Sequence, residues 1–316
     1  MTIKGLSARS GMNRTDRLQL PAMGVGTWAW GDRLYWGYER RFGRREVEGA
    51  YAASLKAGLL FYDTAEIYGQ GASEVILGQL ERGSGAHLAI ASKFMPFPWR
   101  LKKGDLLTAL RRSLDRLGRE SLELYQIHWP LPPLRVETWM EGLAQTVEAG
   151  LVRAVGVSNY SLSQMRRAQS ALAKHGIALR SNQVLYSLLD RRPEITGLLA
   201  ECRREDIALI AYSPLAQGLL TGKYGQDNPP PLQRRLRVGR RRLMRAESLA
   251  EVMRRIGEGH GVKTASQVAL NWVVCKGAIP IPGAKDAVQA EENAGALGWR
   301  LTDQDVADLD RLSAVH

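Results

Sequence analysis

Eight short apolar runs, nearly every one followed by a stretch with helical spacing, leave this chain few folds to choose from. Seven of the runs fall at 59–64, 88–93, 122–128, 152–158, 179–184, 207–212 and 278–281, and the first lies inside LQLPAMGVGTWAW at 18–30. Each is continuous rather than alternating, as strands buried on both faces are. Helical stretches are expected at about 45–57, 73–81, 105–117, 137–149, 161–174, 193–204, 246–258 and 264–276, with a last one from Asp303 to Leu312. Gly58, Gly118, Gly150, Gly176 and Gly277 punctuate their ends. Strands that alternate with helices pair in parallel, and eight such units predict an α/β fold, a single (β/α)8 TIM barrel. It would occupy 18–316, with a lead-in strand before the first unit and a long loop after strand 7, behind a basic tail at 1–17. A doubly wound sheet would want a glycine-rich phosphate turn after its first strand, and GVGTWAWG does not complete that fingerprint.

A barrel of this kind does its chemistry at the carboxyl ends of the strands. Four titratable side chains sit there: Asp63 and Tyr68 in FYDTAEIYG, Lys93 in AIASKF and His128 in LYQIHW. A phenol with an ordinary pKa near ~10 donates a proton at neutral pH only if a cation stabilises its anion. Lys93 is the cation that the next strand end supplies, Asp63 would hold the ammonium in place, and a neutral His128 has a hydrogen bond to donate. Taken singly, each residue also reads as packing, a helix cap or a solvated charge. Their recurrence at the same place in consecutive units favours the joint reading.

Two cysteines far apart, Cys202 and Cys275, exclude a disulfide scaffold and a zinc-finger spacing. They point to a reducing compartment, the cytoplasm. The first 17 residues lack the apolar segment of a secretory signal, although their Arg and Ser content, with Asp16 as the one acidic residue, leaves a remnant of a plastid transit peptide open. No apolar run approaches the roughly 20 residues that span a bilayer, so no membrane partner is expected. The net charge of +12 invites a polyanion. Its arginines cluster at 40–45 and 234–245 without interleaved aromatics, which favours solvated faces and a phosphate-gripping loop over nucleic acid.

The motifs FYDTAEIYG, SKF, LYQIHWP, VGVSNY, SNQVLYS, AYSPLAQGLLTGKY and IPGAKDAVQAEEN together resemble the aldo-keto reductases from about Leu18 to Leu312. Within that family the chain looks similar to the potassium-channel β-subunit-like members and to chloroplast and bacterial reductases. The resemblance implies reduction of aldehydes and ketones to alcohols without metal, with hydride from nicotinamide and a proton from Tyr68. Asp63 and Lys93 would lower the Tyr68 pKa, and His128 would orient the carbonyl. It implies NADPH, with NADH the weaker candidate, held by Thr27, Trp28 and Asp63. Ser158, Asn159 and Gln183 would meet the carboxamide, and Tyr212 would stack on the ring. Ser213, Pro214, Leu215, Ala216, Gln217 and Lys223 would meet the pyrophosphate. Gly283, Lys285, Gln289, Glu292 and Asn293 would hold the adenosine end, with a helix N-terminus at 286 assisting the 2′-phosphate. Ser158 and Asn159 also read as a helix cap, and Glu292 and Asn293 as a surface pair. Gly283 and Ala284 stand where many members carry Lys-Ser, and Gln289 where many carry Arg. The 2′-phosphate grip then falls to Lys285 and an arginine of 234–245. A short C-terminus implies an open pocket walled by Trp30, Trp99 and Trp129 for a small carbonyl substrate. An NADPH-binding regulatory or redox-sensing protein with negligible turnover is the alternative, and the oligomeric state, monomer included, stays open.

Overall fold

A computed structural model describes residues 20–225, 228–230 and 238–314. The expected tail at 1–17 lies outside them, as do the arginines at 234, 235 and 237. Eight parallel strands follow one another in chain order: β1 Val25–Gly26, β2 Phe61–Asp63, β3 Ala89–Phe94, β4 Leu122–Ile127, β5 Val152–Ser158, β6 Leu179–Leu185, β7 Ala208–Tyr212 and β8 Ile279–Ile281. The sheet closes where Gly24 and Gly26 donate their N–H groups to the carbonyls of Pro280 and Pro282, each at 3.0 Å. Gly26 is needed at that seam, because a Cβ there would lie 2.9 Å from the Ile281 carbonyl oxygen. The (β/α)8 barrel expected from the alternation is the fold observed.

Helices cover the outside: α1 Arg44–Lys56, α2 Ala72–Ser84, α3 Gly104–Leu117, α4 Val136–Glu148, α5 Leu162–Ala173, α6 Arg192–Ile195, α7 Leu198–Arg204, α8 Arg240–Gly259, α9 Ala265–Cys275, α10 Ala287–Ala294 and α11 Asp303–Leu312. The stretch expected as one helix at 193–204 is two, because Gly197 takes a left-handed φ of 73° and turns the chain between them. The helix expected from 246 begins at 240, inside the arginine run. Among the described residues no strand precedes β1, so the lead-in strand is not found there.

Successive strand residues point to opposite faces of the sheet. Phe61, Ala91, Leu124, Ala154, Ile210 and Ile281, one each from six strands, pack together as the apolar filling of the barrel. Two residues further along, the same inward face carries Asp63, Lys93, Gln126 and Tyr212. The catalytic candidates are therefore the next layer of the barrel interior, resting on an apolar floor. The other large cluster lies between sheet and helices and holds the intervening residues, such as Tyr62, Ile90, Tyr125 and Val155.

Candidate active site

Lys93 and Asp63 are the centre of this layer, 0% and 2% exposed with Nζ 2.5 Å from Oδ1. The ammonium also donates to the Thr64 carbonyl at 2.8 Å and to the Tyr68 hydroxyl at 3.2 Å, so its three protons have three oxygens. The second carboxylate oxygen of Asp63 accepts from Gln183 Nε2, reaching across from β6 at 2.7 Å. Tyr68 opens a tight turn, Tyr68–Gly71, just past β2, in which Gly69 and Gln70 take left-handed φ of 56° and 58°. His128 follows β4 directly and anchors itself by donating its backbone N–H to the Phe94 carbonyl at 2.8 Å. The Tyr68 and His128 rings meet edge to face with centroids 5.7 Å apart. All four side chains are thus brought together at the carboxyl ends of β2, β3 and β4.

Electrostatics refine the expected division of labour. Burial pushes the Tyr68 phenol above its ordinary value; the Lys93 charge pulls it down and the Asp63 charge pushes it up. The direct effect of the Asp63 charge is to raise the phenol's pKa, while it keeps Lys93 charged and in place, and that ammonium lowers it. For Lys93, burial disfavours the charge, and the attraction of Asp63 and then of Tyr68 outweighs it, so the pKa is raised and the ammonium persists. His128 is driven well below the ordinary histidine value, first by burial and then by the Lys93 charge, and its Nδ1 meets no hydrogen-bond partner. A lowered histidine pKa keeps the ring neutral, and a raised tyrosine pKa keeps the phenol protonated. Carbonyl reduction should therefore show no histidine titration near the ordinary histidine value and retain its acid through neutral pH. A kcat/KM profile with an acid limb near pH ~6.5 that vanishes in His128→Asn would contradict this.

Beside the four lies a second network. Ser158 Oγ and the Asn159 N–H both donate to the Gln183 carbonyl, at 2.9 and 2.8 Å, and Tyr212 donates to Asn159 Oδ1 at 2.9 Å. Asn159 in turn donates to the His128 carbonyl at 3.1 Å. The helix-cap alternative for Ser158 and Asn159 is overturned, because α5 is capped by Ser161, whose Oγ accepts from Gln164 N. Thr27 is fully buried and donates to the Asp63 carbonyl at 2.9 Å, bracing the end of β2.

After β7 the chain takes left-handed φ at Ser213 (51°), Ala216 (48°) and Gln217 (56°). Runs that mix right- and left-handed residues aim successive N–H groups into one concavity, which suits an anion. Such strain costs of order 1–3 kcal/mol per residue and concentrates at functional sites. Pro214 and Ala216 are buried and Leu215 half-buried, so this turn is built into the barrel rather than draped over it. Lys223 lies on its neighbour's ring, with Nζ 4.9 Å from the Tyr224 centroid. Lys285 Nζ lies 4.6 Å from the Trp36 ring centroid. These groups fit a phosphate-bearing cofactor.

The other residues expected at the adenosine end bond to one another and to the neighbouring helix start. The α10 N-terminus is capped by Asp286, which accepts from Gln289 N and from Gln289 Nε2, so that helix end and Gln289 are both engaged. Glu292 accepts from Thr264 Oγ1 at the start of α9, and Asn293, 6% exposed, donates to the Gly283 carbonyl. Gly283 itself is exposed. No group of three or more His, Cys, Asp or Glu side chains among the described residues is placed to hold a metal ion. Nor is any described helix long and apolar enough to cross a membrane.

The model of the Aldo/keto reductase family matches residues 22–314. The chain belongs to that family. It is 40% identical over 306 residues to the chloroplastic pyridoxal reductase of Arabidopsis thaliana, covering 93% of this chain and 83% of the relative. It is 30% identical over 295 residues to the methylglyoxal reductase YeaE of Escherichia coli, covering 93% and 91%. An aldo/keto reductase of Klebsiella pneumoniae, solved in complex with NADP and acetate, superposes with a TM-score of 0.74 at 30% identity, covering 93% and 92%. As an aldo/keto reductase, the protein is an NAD(P)-dependent oxidoreductase.

The aldo/keto reductase site differs from expectation in its walls. Trp30 is fully buried, donates its indole N–H to the Ala284 carbonyl at 2.8 Å and packs on Tyr62, so it belongs to the core rather than to a pocket wall. Trp99 and Trp129 are exposed, 71% and 40%. Tyr35 and Trp36 were not singled out from the sequence, yet Trp28 stacks on Tyr35 at 5.0 Å and meets Trp36 edge-on at 5.4 Å, with Tyr68 at 6.2 Å. Tyr35 donates to Gln217 Oε1 at 2.8 Å, linking the loop after β1 to the turn after β7. The density of aromatics in TWAWGDRLYWGY was the available signal.

Proposed function

We propose that this aldo/keto reductase uses NADPH to reduce aldehydes and ketones to alcohols, and that its preferred substrates are flat aromatic aldehydes of the pyridoxal kind. The observation that carries the reading is the Lys93 ammonium 3.2 Å from the Tyr68 hydroxyl and 2.5 Å from Asp63, beside a neutral imidazole. When bound, the reduced nicotinamide supplies the hydride. Tyr68 gives its proton to the carbonyl oxygen, and Lys93 stabilises the phenolate left behind. His128 donates a hydrogen bond that holds that oxygen next to the phenol. The Asn159, Gln183 and Tyr212 network offers polar groups in a fixed arrangement for the nicotinamide face. The backbone turn at 213–217, with Lys223, is suited to the pyrophosphate.

The NADP-bound Klebsiella pneumoniae neighbour supports the cofactor, and the pyridoxal reductase relative supports the substrate class. The stacked Phe97 and Trp99 rings, 4.6 Å apart at 6°, offer a flat apolar face on the loop after β3. Following NADPH oxidation with pyridoxal and with a short aliphatic aldehyde tests the proposal, and absence of steady-state turnover with either defeats it. A single turnover followed by a retained oxidised cofactor would favour the regulatory alternative.

Lys285, whose ammonium lies over the Trp36 ring, is the residue to test for the 2′-phosphate. Lys285→Met should raise the KM for NADPH about 10- to 100-fold, the worth of one charge-assisted hydrogen bond, and leave the KM for NADH unchanged. Equal loss for both cofactors would remove Lys285 from that role.

A further inference from the structure

Glu66 lies two residues before Tyr68, and nothing in the reaction requires it. Its carboxylate is nonetheless fully engaged. It accepts the Met95 N–H at 2.7 Å and both arms of the Arg100 guanidinium, at 2.5 and 3.0 Å. Arg100 also donates to the Met95 carbonyl at 2.8 Å, and its guanidinium lies 4.7 Å from the Phe94 ring centroid and 5.4 Å from that of Phe97. The Arg100 N–H donates to the Phe97 carbonyl at 2.9 Å, which closes residues 97–100 into a turn. The two side chains are only 9% and 19% exposed, so this is no solvated surface pair. A bidentate, ring-covered arginine of this sort fixes geometry as well as charge. One end of the clamp is the segment that carries Tyr68. The other is the loop that leaves β3 just after Lys93 and carries the Phe97–Trp99 stack.

We propose that Glu66 and Arg100 are positioning residues for substrate choice: they hold the Phe97–Trp99 face at a fixed place relative to the Tyr68 hydroxyl, and so favour flat aromatic carbonyl compounds over small aliphatic ones. The inference rests on the carbonyl-reductase reading and adds the device that selects within it. A ring stacked on Trp99 is aligned with the acid only while the loop keeps its place, and displacement by about 1 Å is enough to cost ~10²-fold. A short aliphatic aldehyde makes no such contact and is indifferent to the loop.

The test compares pyridoxal or benzaldehyde with propionaldehyde in wild type, Arg100→Met, Arg100→Lys, Glu66→Gln and Trp99→Ala, measuring kcat and KM separately. In Arg100→Met and Glu66→Gln, kcat/KM for the aromatic aldehyde should fall about 10- to 100-fold, chiefly through kcat, while propionaldehyde turnover changes little. Arg100→Lys, which keeps the charge and loses the fork, should fall between. Trp99→Ala removes an exposed side chain without disturbing the core and should reproduce the selective loss. Adding Arg100→Met to it should cost little more, because both act through one surface. Equal losses for the two aldehydes, or an unchanged ratio in Trp99→Ala, would overturn the proposal. A wild type that reduces neither aldehyde would overturn the carbonyl-reductase reading and this inference with it.

Discussion

Tyr68→Phe should leave a folded protein that still binds NADPH and reduces carbonyls about 10²- to 10⁴-fold more slowly. The structure separates the two effects. The phenol is one of three oxygens around Lys93 Nζ, and the carboxylate of Asp63 and the carbonyl of Thr64 remain when it is gone. The ammonium thus keeps partners, and the ring keeps its edge-to-face contact with His128. What disappears is the proton that the alkoxide oxygen needs. Because the loss is confined to the transition state, kcat should fall with little change in substrate KM. Single-turnover hydride transfer is the measurement; a rate within a few-fold of wild type would mean that another group, or water, is the acid.

Lys93→Met should damage the fold as well as the reaction. It strips the cation from a carboxylate that is 2% exposed, leaving Asp63 with Gln183 as its remaining side-chain partner. Breaking a buried pair from one side costs about 3–5 kcal/mol, and a loss of that size lowers the Tm of a large domain by roughly 10 °C. The double variant Asp63→Asn/Lys93→Met removes both charges at similar volume and should recover much of the stability while staying as inactive as the single variant. Thermal melts of the three proteins decide the matter. A single variant that melts with wild type would show that the pair is not the closed, desolvated bridge described above. Recovery of activity in the double variant would show that Lys93 does not act on the phenol.

How far the chain declared itself beforehand follows from which forces act locally. Strands buried on both faces are continuous apolar runs, so β3 through β7 were legible to within a residue or two. The four titratable candidates were legible because Asp63, Lys93 and His128 stand at or just past the ends of three consecutive apolar runs, with Tyr68 in the turn after the first. β1 lies inside the stretch expected to hold it, but its shortness was not legible, since it is fixed by the bonds that Gly24 and Gly26 make to Pro280 and Pro282 at the seam. Trp30 was misplaced because Trp28, two residues before it, borders Tyr68, and only tertiary packing shows that the Trp30 indole turns inward. The start of α8 was hidden by reading arginines as loop, although arginine is a good helix former. The Glu66–Arg100 clamp joins groups 34 residues apart, and the brake that Asp63 puts on Tyr68 ionisation is a matter of distances. Neither has a signature in one sequence.

The hydrogen bond from Gln183 to Asp63 spans 120 residues of chain and the width of the barrel. A nascent polypeptide that has delivered β2 and β3 owns the carboxylate and the ammonium but not the amide that restrains the carboxylate from the far side. The acid and its cation thus come from one half of the barrel, and the amide that restrains their carboxylate comes from the other.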